Sequence, residues 1–380
     1  MKAIGRVFSA VCCALILVCA VPGPALADPA VKIVSEGPYQ LSAMRQFVLH
    51  SERLGHDVLV VVSAPPPSVV LTPGQKLPAI YALDSGYGIA GPIGQMMVWA
   101  AAMSPAYVIS IGYPEGQPFK RDFDLLHHQT VRDGAIIGGG GAAFQAFLTN
   151  ELRPFVEARY PLDPGRAILF GHSYGGLFAA NVLATAPDSF FGYIIASPSI
   201  AADPQVIDRL ATVVVGGAAK RVFVAAGGNE QAEIVDGAGR IAAELSAKGP
   251  SFAVEKRIFA GETHISYYSQ LTPAAFAWML PPSTGVARKA ISLPAAALER
   301  LAGVYVLPDG RTITVTTREG KLFATLTGMP GGEVLAETPL TFFVQGYDVL
   351  LTFEAGEQGP ARALVLHING ADARAVRRAG

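Results

Sequence analysis

The segment Gly171-His172-Ser173-Tyr174-Gly175-Gly176 narrows the folds open to this chain more than any other. An unbroken apolar run, Ala167–Phe170, leads into it, and a helix-like run from Leu177 to Ala184 leads out. A serine between glycines at a strand-to-helix junction is the pattern of a nucleophile elbow, a sharp turn that lifts a hydroxyl clear of a sheet. Such a turn holds the serine at strained backbone angles, and side chains in place of the glycines would collide. The helix behind it directs its N-terminal dipole at any negative charge that develops there. Ser173 is therefore the candidate nucleophile, on a layered scaffold in which strands feed helices.

The surrounding pattern agrees. Between about residues 45 and 280, short β-branched runs alternate with helical stretches. Phe47–Leu49 and Asp57–Val62 read as the arms of a hairpin around Gly55. Ala79–Leu83, Tyr107–Ile111, Ala167–Phe170, Tyr193–Ala196, Arg221–Ala226 and Phe252–Ile258 are the further strand candidates. Their nearly continuous apolar content is what strands buried on both faces require. Phe144, Phe147, Leu148, Leu152, Phe155 and Val156 share one helical face that ends before Pro161. The alternation predicts an α/β fold with a mostly parallel sheet covered on both sides.

A break follows at Pro281-Pro282, and beyond Ile291 the texture becomes that of short alternating strands. These are Thr312–Val315, Lys321–Leu326, Thr341–Val344, Val349–Phe353 and Ala363–Ile368, separated by turn signals such as Pro308-Asp309-Gly310. The expected organisation is a leader over 1–27, a catalytic domain over 28–285 and a small all-β domain over 290–380. The arginine-bearing tail Arg374–Arg378 reads as a frayed, solvated end.

The leader reading rests on Lys2 and Arg6, the apolar run Val7–Val21 and the small-residue site Ala25-Leu26-Ala27, with cleavage before Asp28. The run is short for a membrane span. All three cysteines (Cys12, Cys13 and Cys19) fall inside it, so an exported mature chain would carry neither disulfide nor thiolate chemistry. With 29 basic against 30 acidic side chains and no basic block, the chain lacks the footprint of a nucleic-acid binder. Nothing in the sequence sets an oligomeric state.

A serine hydroxyl needs a base. In nucleophile-elbow scaffolds the order along the chain is serine, acid, histidine, and His264 in Gly261-Glu262-Thr263-His264 follows the last predicted strand. His50, His56, His127 and His128 precede the serine, His367 lies in the β region, and His172, as the serine's neighbour, is expected to point away. The acid belongs in the loop after Arg221–Ala226, which nominates Glu230; Glu233 and Asp236 compete as helix N-terminal charges, and a Ser–His dyad is the alternative. Two backbone amides must meet the oxyanion. Tyr174 supplies one from the elbow, and Ser85 or Gly86 in Asp84-Ser85-Gly86-Tyr87-Gly88 the other. Arg121 and Tyr87 are candidate substrate contacts, Arg121 with the competing reading of an ion pair holding a loop. Gly138–Gly141 lacks the Gly-Lys-Ser/Thr of a phosphate loop and reads as a flexible loop near the pocket. The pair His127-His128 lacks spaced partners for zinc, and no cofactor is implied.

Tyr81-Ala82-Leu83-Asp84, Ile111-Gly112-Tyr113-Pro114, Arg121-Asp122-Phe123, the elbow with Leu177-Phe178, Ala196-Ser197-Pro198-Ser199 and Gly261–His264 occur in that order. Together they resemble an esterase branch of the α/β-hydrolases that includes bacterial siderophore trilactone esterases, S-formylglutathione hydrolases and mycolyltransferase-like proteins. The resemblance covers about residues 40–280 and implies an α/β-hydrolase fold, a small-molecule ester substrate and hydrolysis through an acyl-serine. It supports Ser173 and His264 by position. The family usually carries glycine where Ser85 stands. Acyl transfer by the same residues, or a non-catalytic binding protein on the same fold, are the competing readings. The C-terminal portion, Tyr305 to Arg377, resembles a small β domain appended to some serine-hydrolase and β-lactamase-like proteins, from which no activity follows.

Overall fold

Apolar runs bounded by turns become strands. The computed structural model describes residues 44–65, 75–84, 104–281, 288–345, 347, 349–356, 359–368 and 371–378. The first ten strands are β1 (Met44–Ser51), β2 (His56–Ser63), β3 (Leu77–Leu83), β4 (Tyr107–Gly112), β5 (Gln129–Arg132), β6 (Ala135–Gly138), β7 (Leu162–His172), β8 (Gly192–Ala196), β9 (Lys220–Gly227) and β10 (Phe252–Phe259). Eight of them form one sheet in the order β1-β2-β4-β3-β7-β8-β9-β10. The β1–β2 and β2–β4 pairs are antiparallel and the rest parallel. The expected hairpin turns at Gly55, whose φ of 69° suits glycine.

Alternate residues of one strand feed two cores, as the period of a pleated strand demands. Tyr81, Leu169 and Tyr193 join one core with Phe144, Phe147 and Phe178, whereas Ile80, Ile168 and Phe223 join the other with Leu271 and Phe276. The helices are α1 (Arg121–Leu125), α2 (Gly141–Phe147), α3 (Arg153–Glu157), α4 (Tyr174–Thr185), α5 (Val206–Thr212), α6 (Ala232–Ser246), α7 (Tyr268–Met279) and α8 (Ala295–Glu299). The predicted face from Phe144 to Val156 exists, but a π-helical turn, Leu148–Leu152, joins α2 to α3. Strand β10 is an edge, and Glu255–Ile258 is mostly exposed rather than covered on both faces.

Two local expectations are corrected. Gly138–Gly141 is no loose loop: the amides of Gly139 and Gly141 both donate to the Leu126 carbonyl. A side chain at Gly140 would stand 2.5 Å from the Phe123 ring. The glycines let the β5–β6 hairpin, which carries no strong sequence signal, press against the segment after α1. The Arg374–Arg378 tail is likewise ordered.

It belongs to a closed barrel of eight antiparallel strands: β11 (Gly303–Val306), β12 (Thr312–Arg318), β13 (Lys321–Leu326), β14 (Gly332–Ala336), β15 (Thr341–Phe343), β16 (Val349–Glu354), β17 (Ala363–Ile368) and β18 (Ala371–Arg377). Strand β18 closes the ring by pairing with both β17 and β11. Among the described residues no helix is long and apolar enough to cross a membrane.

Candidate active site

Strand β7 ends at His172, helix α4 begins at Tyr174, and Ser173 between them sits at φ 61°, ψ −120°. That is strained backbone for a residue with a side chain. The glycines permit it by close approach. A Cβ at Gly171 would lie 1.9 Å from the Gly175 carbonyl oxygen, and one at Gly176 would lie 2.4 Å from that of Ala196. Gly175 is less crowded, with Asp84 Oδ2 at 3.2 Å from its would-be Cβ. The Ser173 amide donates to the Ala196 carbonyl at 2.9 Å, and its Oγ lies 3.3 Å from Ser199 Oγ. As the first residue of α4, Tyr174 has an N–H without an intrahelical acceptor.

His264 lies in the loop after β10. Its Nδ1 donates to Glu230 Oε2 at 2.5 Å, which leaves Nε2 as the acceptor nitrogen. The Glu230 side chain is buried in the turn after β9. Its other oxygen accepts from Ser197 Oγ at 2.6 Å and from the Gly227 amide at 2.5 Å. Burial opposes its charge, but the bonds from His264, Ser197 and Gly227 outweigh that and hold the carboxyl below its usual pKa. Behind Ser197, the Tyr267 hydroxyl donates at 2.5 Å. Ser197 is fully buried with φ 42°, so this three-member relay is built on a second strained turn. The loops of the acid and the histidine are stitched together: Asn229 N donates to Glu262 O at 2.8 Å, and Asn229 Nδ2 to Gly261 O at 2.9 Å.

His172 does more than occupy the elbow. Its Nε2 donates to the His264 carbonyl at 2.8 Å, and the two rings lie 4.5 Å apart. Burial, with His264 adding to it, lowers its pKa to about 4. It is a neutral donor that pins the backbone of the other histidine, and it lies on the His264 side of the turn instead of being uninvolved. Nothing local in the sequence signals this pairing of positions 172 and 264.

Arg121 is committed inside the protein. Its guanidinium makes a two-point pair with Asp84 at 2.5 and 2.8 Å, reaches the His172 carbonyl at 3.5 Å and stacks over the Tyr174 ring. Of its two sequence readings, the geometry matches the ion pair that holds a loop. Asp84, at φ 64°, is the first residue of the predicted oxyanion loop. Ser85, Gly86 and Tyr87 lie outside the described residues. Arg132 on the β5–β6 hairpin, which the sequence did not single out, also stacks over Tyr174 and pairs with Asp122. Ser173, Tyr174, Glu230 and His264 thus gather at the C-terminal ends of β7 to β10, where open α/β sheets place their ligands. Among the described residues no three His, Cys, Asp or Glu side chains cluster as a metal site would need.

A family described as "Putative esterase" matches residues 51–269, more than half of the chain. The chain belongs to this family. As an esterase of the α/β-hydrolase fold it is a carboxylic ester hydrolase, and its elbow, histidine and acid all lie within the matched span. It is 30% identical over 259 residues to the ferri-bacillibactin esterase BesA of Bacillus subtilis, covering 61% of this chain and 87% of that one. It is 38% identical over 173 residues to a siderophore triacetylfusarinine C esterase of Aspergillus fumigatus, covering 43% and 58%. Among solved structures it resembles the BES protein of Bacillus cereus, with a TM-score of 0.57 and 25% identity over 64% of this chain and 97% of that one. The barrel falls in a second family, described as "Domain of unknown function (DUF3471)", matched over residues 287–376. No activity comes to the esterase from that match.

Proposed function

We propose that this esterase is exported, that it hydrolyses siderophore-type esters, and that it works through an acyl-serine on Ser173. The observation that carries the reading is the buried Glu230 held against His264 Nδ1, with the strained Ser173 one residue from the histidine that pins the same loop. In the proposed cycle the Ser173 hydroxyl turns from Ser199 toward His264 Nε2 and attacks the ester carbonyl as its proton passes to that nitrogen. The Glu230 carboxylate stabilises the resulting imidazolium. The Tyr174 amide and the α4 dipole meet the oxyanion; one such donor is typically worth ~3 kcal/mol of barrier. Collapse of the tetrahedral intermediate breaks the carbon–oxygen bond, and His264 returns its proton to the departing alcohol. Water, deprotonated by the same nitrogen, then releases the acid and restores the serine.

The substrate class is drawn from the relatives, whose names include esterases of ferri-bacillibactin, triacetylfusarinine C and enterobactin. Export is drawn from the leader-like start of the chain, with Lys2, Arg6 and the run to Ala27. A fluorophosphonate probe tests the nucleophile: the native protein is labelled and Ser173→Ala is not. Turnover of a tricatecholate trilactone measured beside p-nitrophenyl butyrate tests the substrate. A kcat/KM that favours the small ester would overturn the siderophore reading while leaving the serine mechanism standing. Detection of a product beginning at Asp28 in the exported fraction tests the leader.

A further inference from the structure

Eight strands close a barrel whose interior is just wide enough either to be filled by side chains or to hold one small ligand. This barrel does both, at opposite ends. Inward positions recur every second residue along each strand. On β16 they run Phe353, Leu351, Val349, and on β17 Leu364, Leu366, Ile368. At the first end Phe353 packs edge-on against Tyr305 and Phe342, with ring centroids 5.8 and 5.5 Å apart, and all three rings are buried. Toward the second end the aromatic rings give way to shorter aliphatic side chains. Ile313, Ala324, Leu326, Val334, Leu351 and Leu366 there line a cavity of about 310 Å³.

Among the described residues the lining holds no charged side chain, and its one polar side-chain tip is the Tyr347 hydroxyl. Tyr347 and Met329 stand at the exposed mouth, 56% and 39% accessible. Water held inside would need two to four polar partners that hydrocarbon walls do not offer. The volume is about twice the ~150 Å³ that takes up one benzene in an engineered apolar cavity, which sets the occupant at on the order of ten carbons. The narrow barrel lumen favours an elongated shape over a broad one. The want of a cation among the described lining residues favours an uncharged head left at the mouth.

We infer that the C-terminal barrel is a binding site for a single straight aliphatic chain of about ten carbons with an uncharged polar head, a site separate from the catalytic one. This inference does not depend on which ester the catalytic residues cleave.

The test uses the full chain and straight-chain primary alcohols, followed by titration calorimetry. One saturable site for 1-decanol is expected, with affinity rising about three- to fourfold per methylene from 1-hexanol upward. Ala324→Phe fills the lumen and Val344→Trp narrows the mouth. Each should weaken 1-decanol at least tenfold while turnover of p-nitrophenyl acetate is unchanged. Protein whose catalytic serine has been blocked by a fluorophosphonate should bind 1-decanol as before. No saturable binding, binding that survives both substitutions, or binding abolished by the serine label would each overturn the inference. The chain-length series needs only the unaltered protein, and a flat series would overturn it whatever becomes of the variants.

Discussion

The Nε2 hydrogen of His172 is donated to the backbone carbonyl of His264 at 2.8 Å, so the residue beside the elbow serine holds the loop that carries the catalytic candidate base. Both protonation states keep an Nε2 hydrogen for this bond, but burial holds the ring neutral by lowering its pKa to about 4. The unfolded chain, with its histidine near ~6.5, binds this proton more readily than the native state does. Stability should therefore be complete above about pH 6.5 and fall as the pH drops toward 4, with His172 accounting for ~3 kcal/mol of that loss. Urea unfolding at several pH values should show the slope, and His172→Gln should flatten it. The same variant should lower kcat on small esters by about tenfold while KM moves little, because a loosened His264 harms the chemical step more than binding.

Glu230 depends on the relay behind it. Ser197→Gly relieves a positive φ but removes the hydroxyl that donates to the buried carboxylate. A hydrogen bond to a charged group is worth about 1.5–3 kcal/mol, so a net loss of stability is expected despite the relaxed backbone. Tyr267→Phe removes only the outer donor and should cost about 1 kcal/mol. Melting temperatures and kcat should rank the native protein above Tyr267→Phe, and Tyr267→Phe above Ser197→Gly. An inverted order would mean that the tyrosine acts on its own.

The glycines of the elbow should not respond alike. At Gly171 and Gly176 an added methyl would meet backbone carbonyls at 1.9 and 2.4 Å, and the backbone has no room to withdraw. Alanine at either position should abolish soluble protein or esterase activity. At Gly175 the nearest atom is the Asp84 carboxylate at 3.2 Å, so Gly175→Ala should fold, with an overpacking cost of about 1–3 kcal/mol and reduced turnover. Expression yield and calorimetry would separate the two classes.

Arg121 offers a test of bracing against substrate contact. Lysine keeps the charge but not the two-point pair with Asp84, so Arg121→Lys should slow small neutral and anionic esters by similar factors. A rise in KM confined to anionic substrates would instead make the guanidinium a substrate contact.

The sequence revealed most where the signal was local. Gly171–Gly176 announces its own strain, and continuous apolar runs such as Tyr193–Ala196 announce strands covered on both faces. What it hid was made by contacts distant along the chain. His172 and His264 meet only because β7 and β10 end on the same side of one sheet, and Ser197 finds Glu230 only across neighbouring strands. Strand β18 was hidden for a different reason. Its alanines at 371, 373 and 375 alternate with exposed Asp372, Arg374 and Val376, so a half-solvated barrel strand has the composition of a tail.

That strand supports the last prediction. Arg377 reaches the Ala302 and Ala361 carbonyls at 2.7 and 3.2 Å and stacks over Tyr305, so it ties β18 to the segment that opens the barrel. Arg374 makes a two-point pair with Glu354, but both side chains are exposed to solvent. Exposed pairs contribute little, whereas partly buried charged hydrogen bonds to carbonyls contribute about 1.5–3 kcal/mol. Arg377→Ala should therefore destabilise the barrel measurably, and Arg374→Ala should leave it nearly unchanged. Truncation after Ile368 should do more than either, because it strips the ladder partner from both β11 and β17 and exposes two sheet edges. Scanning calorimetry of the full chain and the three variants should give that order, and truncated protein with an undisturbed barrel transition would show that β18 does not close it.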